Sequence, residues 1–262
     1  MHMTTMDAVR NDILVAAWNT SDSGKVRNLI RQSLGSCEVD FRGCKMKIFP
    51  RNNNTEFQIW RRGRPFEEPS LRYICNLFTG KKITAFDVGA NAGIFSLRLA
   101  LAAGKGSKII AFEPNPIMRE RFEYNIALNK FKSITVHNCA VSDEAGVADL
   151  IFEEDGNLGN GQLRTDARQS RTNSITVDVK LLADFFKGKT SVDFLKVDVE
   201  GLEDRVIYPL LEQVSEKLRP ERIYFEDKHN ETWKYDLNTR LKECGYQLER
   251  DWKANKLFKR ST

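Results

Sequence analysis

No run of apolar residues in this 262-residue chain approaches the ~18–20 that a membrane-crossing helix needs. Met1-His-Met-Thr-Thr-Met6 lacks the charged-then-apolar layout of a secretion signal, so the expected setting is cytoplasmic. Cysteine is sparse and scattered, with five residues at 37, 44, 75, 139 and 244 and no Cys-x-x-Cys. That excludes a disulfide framework and leaves reduced thiols as the expectation. Cys37 and Cys44 could pair across a hairpin, or join His137 or His229 on a metal, but no zinc-type spacing accompanies them. A dominant charge sign is also missing, with 41 Lys and Arg against 36 Asp and Glu. Basic clusters at Arg61-Arg-Gly-Arg64, at Arg164, Arg168 and Arg171, and at Lys253, Lys256, Lys259 and Arg260 read as solvated surface, or as attraction for an anionic substrate. No nucleic-acid reading motif goes with them, so a nucleic-acid partner is not expected. Repeats and low-complexity tracts are absent.

What is present suits a packed core: 41% hydrophobic residues and four Trp. Residues 1–80 read as an N-terminal extension. Two helical patterns cover 5–34, with Val9, Ile13, Leu14 and Trp18, then Val26, Leu29, Ile30 and Leu34, at helical spacing. Cys37 to Ile48 alternates about an Arg42-Gly43 turn and predicts a hairpin. A strand is expected through Phe57 and Ile59 after the Asn52-Asn-Asn54 turn. A helix is expected from Glu67-Glu-Pro-Ser70 to about Phe78, where Gly80 stops it. From residue 81 to 262 the grammar becomes strand, helix, strand, helix. Strands are predicted at 83–88, 108–112, 133–138, 192–199 and 222–226, with 147–152 at a sheet edge. Helices are predicted at 92–103, 116–129, 178–187, 201–218 (kinked at Pro209) and 232–243. The runs 246–250 and 256–259 close the chain as a hairpin. Such alternation predicts an α/β fold with a mostly parallel sheet and helices on both faces. The polar stretch 153–174 fits neither period and reads as a lid or a surface insertion.

The segment Phe86-Asp-Val-Gly-Ala-Asn-Ala-Gly-Ile-Phe-Ser96 joins an apolar strand to a helix through a glycine turn. Twenty residues past Gly93 comes Glu113, in Phe112-Glu-Pro-Asn-Pro116, at the end of the next strand. A glycine turn admits close backbone approach, and an acid at that distance holds a ribose hydroxyl pair. A dinucleotide turn wants Gly-x-Gly-x-x-Gly, whereas Asn91 stands at the second glycine position here. Asp87 would repel a pyrophosphate and suits a cationic amino group. The pattern therefore favours S-adenosylmethionine over NAD; the plain alternative is a tight turn capped by Asp87. Asp/Asn-Pro-Pro-Tyr/Phe and Pro-Cys are both missing, which removes amino-group methylation of bases and cytosine C5 methylation.

Together, Asp87-Val-Gly-Ala-Asn-Ala-Gly93, Phe112-Glu-Pro-Asn-Pro116, Asn125 with Asn129, Ala140-Val-Ser-Asp143, and Phe194-Leu-Lys-Val-Asp-Val-Glu-Gly201 with Glu203 resemble an FkbM-type methyltransferase. The resemblance covers roughly 83–228 and loosens around Glu67-Glu-Pro69. It implies a Rossmann-like seven-stranded sheet of class I methyltransferase type and O-methylation dependent on S-adenosylmethionine. Family acceptors include hydroxyls of sugars or glycans and of polyketide-type natural products. It implies that Asp87, Gly89, Ala90, Asn91 and Gly93 surround the methionine part and that Glu113 binds the ribose, with Pro114 and Asn115 shaping the adenine pocket. Ala140, Val141 and Ser142 flank the adenine.

An alcohol acceptor is a poor nucleophile, so a base or a metal must manage its proton. If the strand at 192–199 runs on, Lys196, Asp198 and Glu200 share a face. Asp198 and Glu200 then either bind a divalent cation such as Mg or supply the base, with Lys196 paired to one of them. Glu226 and His229 fall at the same sheet edge and complete the catalytic candidates. Glu203 and Asp204 read mainly as acids at a helix start, and His137 as a residue of a strand face. The alternatives are an RNA- or nucleotide-directed methyltransferase and a non-catalytic binding subunit; a homo-oligomer is left open.

Overall fold

Alternate residues of the central strands point to opposite sides of one sheet. In β3 (Thr84–Val88), Phe86 and Val88 enter one apolar cluster while Ala85 enters another. The computed structural model describes residues 5–152, 157–159, 161–164 and 174–261. Helices α1 (Thr5–Thr20) and α2 (Gly24–Ser33) lead into the hairpin β1 (Cys37–Phe41) and β2 (Cys44–Ile48). Then come α3 (Asn54–Arg62) and α4 (Glu68–Phe78), followed by β3, α5 (Ile94–Ala102), β4 (Lys108–Phe112), α6 (Pro116–Asn129) and β5 (Ile134–His137). Four short strands follow: β6 (Ala140–Val141), β7 (Gly146–Ile151), β8 (Gln162–Arg164) and β9 (Ser174–Lys180). The chain ends with β10 (Phe194–Val197), α7 (Glu203–Gln213), β11 (Arg222–Glu226), α8 (Leu237–Glu243), β12 (Tyr246–Asp251) and β13 (Asn255–Arg260).

The main sheet has seven strands in the order β12-β13-β11-β10-β3-β4-β5. Pairings from β11 through β10, β3 and β4 to β5 are parallel, and β13 joins β11 and β12 antiparallel. One face carries α7 and α8 through Val206, Ile207, Leu210, Leu237 and Leu241. The other carries α4, α5 and the N-terminal hairpin, with Met46, Ile48, Leu71 and Ile74 in the same cluster as Ala85 and Phe194. Chain order reverses direction between β3 and β10, and a crevice opens there at the carboxyl ends of the strands.

The hairpin is fastened to α6 by side chains that act as a strand edge. Asn125 Oδ1 accepts from Lys47 N at 2.8 Å, and Asn129 Oδ1 from Lys45 N at 2.9 Å. Asn129 Nδ2 donates back to the Lys45 carbonyl at 2.7 Å. The edge of β2 is thereby paired by amides four residues apart on a helix.

Four expectations are corrected. Residues 54–62 form helix α3, not a strand: Asn53 caps it by accepting from Glu56 N at 2.9 Å, and Gly63 closes it in the left-handed region. Residues 178–187 are strand β9 followed by a 3-10 turn, Leu182–Phe186. Val177 and Val179 alternate inward there, as β-branched residues in a half-buried strand do. Strand β7 lies not at an edge of the main sheet but in a second sheet of order β6-β9-β7-β8. Helix α7 runs through Pro209 and ends at Gln213, with a separate 3-10 turn at Glu216–Leu218. Most of the polar stretch 153–174, with Arg168 and Arg171, lies outside the described residues.

Candidate functional site

The turn after β3 is held open by geometry that only its residues permit. Gly89 has φ 76°, and a Cβ there would lie 1.9 Å from the Asp198 carbonyl oxygen. Gly93 has φ 84°, and its Cβ would overlap the Phe122 ring at 1.9 Å. Asn91, at φ 53°, takes the left-handed region that asparagine tolerates. The Gly89 and Ala90 amides donate to the Phe112 carbonyl, tying the turn to the end of β4. There the buried Glu113 accepts from Asn91 N at 2.6 Å and Asn115 N at 2.8 Å. Burial raises the Glu113 carboxyl to about 7, opposed by those two amide bonds.

Beneath the turn sits a cation that the sequence reading used only as a pairing partner. Lys196 is buried; its Nζ lies 3.1 Å from Asp87 Oδ1 and 3.5 Å from Asp198 Oδ2, and donates to the Gly89 carbonyl at 3.1 Å. Burial alone would depress the ammonium pKa, but the charges of Asp87 and Asp198 outweigh it and raise it. Asp87 also accepts from Ser96 Oγ at 2.6 Å. The carboxylate before the turn is thus spent on a clamp between β3, α5 and β10, and does not line the crevice.

The crevice has two compartments. The first is lined by Gly89, Ala90, Glu113, Pro114 and Asn115, with an apolar slot of Phe112, Cys139, Ala140, Val141, Leu150 and Leu163. The second lies toward Trp252 and is polar, with Asn53, Glu226, Lys228, Asp251 and Asn255 among its walls. Thr55, Glu67, Asn91, Gly159, Asp198 and Glu200 line both. Burial first, then the charges of Asp198, Glu226 and Glu203, push Glu200 up to about 8. Burial and Asp198 push Glu67 up to about 7, and Glu226 moves in the same direction.

The segment 157–159 closes over the first compartment. Leu158 N donates to the Asn52 carbonyl at 2.9 Å, Asn115 Nδ2 to the Leu158 carbonyl at 3.0 Å, and Asn91 Nδ2 to the Gly159 carbonyl at 3.3 Å. Asn53 Nδ2 donates to Asn91 Oδ1 at 2.9 Å, so the extension grips the glycine turn directly.

A family model described as Methyltransferase FkbM domain matches residues 87–248. The chain belongs to the FkbM methyltransferase family. Methyltransferase sdnD of Sordaria araneosa is 28% identical over 199 residues, 63% of this chain and 74% of that protein. The 31-O-demethyl-FK506 methyltransferase FkbM of Streptomyces tacrolimicus is 32% identical over 150 residues, 47% of this chain and 57% of that protein. Methyltransferase 1 of Beauveria bassiana (strain ARSEF 2860) is 30% identical over 140 residues, and the match spans 55% of it. The chain thus spans little more than half the length of two of these relatives. The crystal structure of methyltransferase FkbM from Methylobacillus flagellatus KT aligns with a TM-score of 0.48 at 16% identity, over 97% of this chain and 60% of that one.

Within this FkbM fold the motif residues divide. Gly89, Ala90, Asn91, Glu113, Pro114, Asn115, Ala140 and Val141 line the first compartment. Gly93 sits behind it as the cap of α5, and Ser142 Oγ turns to Asp143 Oδ1 at 3.1 Å. Asp198 and Glu200 reach both compartments and Glu226 the second. His229 lines neither; a Cβ on Gly201 would lie 3.3 Å from its own. His137 is packed between Phe112 and Phe185, with ring centroids at 5.2 and 4.7 Å. Glu203 accepts from Val199 N and Gly201 N at 2.9 and 3.2 Å and holds the backbone after β10.

The cation expected at Asp198 and Glu200 is not supported. Among the described residues no group of three or more His, Cys, Asp or Glu is arranged to hold a metal. Strand geometry stops at Val197, so the expected shared face of Lys196, Asp198 and Glu200 does not extend to Glu200, which adopts φ 56°. Glu67 is the residue the sequence reading left out. Its signal was the acidic pair before Pro69, where the sequence marks a helix start and a looser stretch of the family resemblance.

Proposed function

We propose that this FkbM-family methyltransferase uses S-adenosylmethionine to methylate a hydroxyl of a sugar, glycan or natural-product acceptor. The observation that carries the reading is the join of two features. One is a buried acid, Glu113, held at the glycine turn beside an apolar slot. The other is an anionic end made by Glu67, Asp198 and Glu200. The donor set fits the cofactor: Glu113 meets the ribose hydroxyls, the slot at Phe112, Ala140 and Val141 takes the adenine, and the anionic end faces the ammonium and sulfonium. No backbone anion cradle of the dinucleotide type is needed. The negative charge that serves the cation comes from Glu67, Asp198 and Glu200 rather than from Asp87.

When bound, the cofactor supplies a methyl group already activated by its sulfonium. The protein's share is alignment at near-attack distance and removal of the acceptor proton. Carboxylates lifted toward neutral pH by burial are suited to that task, and Glu67, Glu200 and Glu226 are the candidates for it beside Asp198. Residues 81–262 form the methyltransferase domain in this reading, and residues 1–80 an extension that completes its crevice. In this reading the protein acts in the cytoplasm. Among the described residues no helix is long and apolar enough to cross a membrane.

Titration calorimetry with S-adenosylhomocysteine tests the reading. Micromolar binding is expected, weakened at least tenfold, about 1.4 kcal/mol, by Glu113→Gln. Absence of binding, or full affinity in Glu113→Gln, would count against it.

A further inference from the structure

The wall shared by the two compartments is where a methyl group must cross from donor to acceptor. Three of the side chains on it are carboxylates: Glu67, Asp198 and Glu200. Asp198 already faces the Lys196 ammonium at 3.5 Å. Glu68, next along the chain from Glu67, is held by Arg42 Nε at 2.6 Å. Glu67 has no such cation: among the described residues no lysine or arginine lies within ion-pair distance of it. The groups that act on it are Asp198 and Lys196 at the end of β10 and Glu226 on β11, with the buried Tyr224 beside it. Tyr224 is engaged with Ser70 at 2.7 Å. The negative neighbours outnumber the cation, and a carboxylate in such surroundings holds a proton readily.

The compartment beyond this wall differs from the first. Asn54, Glu226, Lys228 and Asn255 supply donors and acceptors along it, and Trp252 and the exposed Phe66 offer ring faces. An apolar acceptor seated there would strip water from these groups without replacing their bonds. A polyhydroxylated ring would replace them, one hydroxyl at a time.

Resting on the methyl-donor reading above, we infer that the second compartment is the acceptor site, that it takes a polyhydroxylated ring such as a glycoside, and that Glu67 of the N-terminal extension receives the proton of the attacking hydroxyl. In that step the acceptor oxygen forms a bond to the methyl carbon and the carbon–sulfur bond breaks. Its electron pair stays on sulfur as a thioether, and the hydroxyl proton passes to the Glu67 carboxylate. Glu67 is then a catalytic residue contributed from outside the stretch matched by the family model, which begins at residue 87.

The test begins with S-adenosylhomocysteine calorimetry on the wild type, Glu67→Gln and Trp252→Ala. All three should bind it, Trp252→Ala as tightly as the wild type and Glu67→Gln less than tenfold more weakly, since Asp198 and Glu200 still face the probe's ammonium; failure of the wild type to bind sinks the cofactor reading, not this one. Saturation-transfer NMR on the S-adenosylhomocysteine complex then compares methyl α-D-glucopyranoside, methyl α-D-mannopyranoside and methyl β-D-galactopyranoside with cyclohexanol. Saturation of at least one glycoside, lost in Trp252→Ala and absent for cyclohexanol, is expected. Cyclohexanol binding without a glycoside, or no glycoside binding at all, overturns the assignment. With labelled S-adenosylmethionine and the bound glycoside, Glu67→Gln should lower kcat by about 10²–10⁴-fold and change KM for the glycoside far less. The rise of wild-type kcat with pH should flatten in that variant, and Glu67→Asp should recover part of the rate. No methyl transfer to a bound glycoside, or a Glu67→Gln enzyme with the wild-type rate and pH profile, overturns the role of Glu67.

Discussion

Replacing Lys196 by methionine removes the one cation of the clamp under the glycine turn. Met fills similar space but leaves Asp87, 3% exposed at its side chain, with Ser96 Oγ at 2.6 Å as its remaining partner. Breaking a buried ion pair from one side costs about 3–5 kcal/mol, because an uncompensated charge stays inside. For a chain of this size that is a fall in Tm of about 6–20 °C. The Gly89 carbonyl also loses its 3.1 Å bond from Nζ, so the turn should loosen and S-adenosylhomocysteine affinity should drop with stability. Adding Asp87→Asn to Lys196→Met removes the stranded charge. The double variant should be more stable than the sum of the single effects predicts, by about 0.5–3 kcal/mol. Urea denaturation of the four proteins of the cycle measures both quantities. A Lys196→Met protein within about 1 kcal/mol of wild type, or strict additivity in the cycle, would refute the clamp.

Three further outcomes are expected. Gly89→Ala forces a Cβ to 1.9 Å from the Asp198 carbonyl at φ 76°, so β3 and β10 must part; calorimetry should find S-adenosylhomocysteine binding lost, and denaturation a loss above the ~1–2 kcal/mol of left-handed strain alone. Stability of the ligand-free protein should fall as pH rises from about 5 to 8: Glu113 and Glu203 are raised to about 7 and Glu200 to about 8, so the folded state holds their protons more tightly than the unfolded chain. Their contribution is present below the ordinary glutamate range and lost through the raised values, which denaturation at stepped pH measures. The lowered pKa of His137 opposes this with a single group. Asn53→Ala removes a bond worth about 0.5–1.5 kcal/mol from the grip on Asn91, and stopped-flow should show S-adenosylhomocysteine leaving up to about tenfold faster.

The parallel core was legible because its signals are local. A glycine turn after β3, an acid after β4 and apolar runs ending in charge each state their strand in a few residues. The second sheet was not legible, since β6 is two residues long and pairs with β9 across a long interval of chain. Helix α3 was misread because Phe57 and Ile59 fit a period of two, while the capping pattern of Asn53 and Glu56 that decides the matter was passed over. In the site, residues that touch the first compartment by backbone or apolar surface were found from the motif. Asp87 was placed at the ligand because its charge was read without Lys196, whose position follows from the pairing of β10 with β3. Glu67 escaped because no spacing rule links a helix start in the extension to the end of β10.

Helix α6 ties these observations together as a ruler. Asn115 caps its first turn beside Glu113 and reaches Leu158; Arg121, midway, pairs with Glu56 at 2.8 Å and Asn52 at 2.9 Å; Asn125 and Asn129 fix β2. Its fourteen residues span about 21 Å at the α-helical rise. A single inserted residue in α6 would advance everything beyond it by about 1.5 Å and turn it by about 100°. The hairpin and Asn52–Asn54 would then lose register with the turn at Gly89, although every residue around both compartments remained in place in the sequence. The length of one helix thus sets how the N-terminal hairpin and Asn52–Asn54 register with the glycine turn, and relatives that differ in that length should differ in how such a segment meets the crevice.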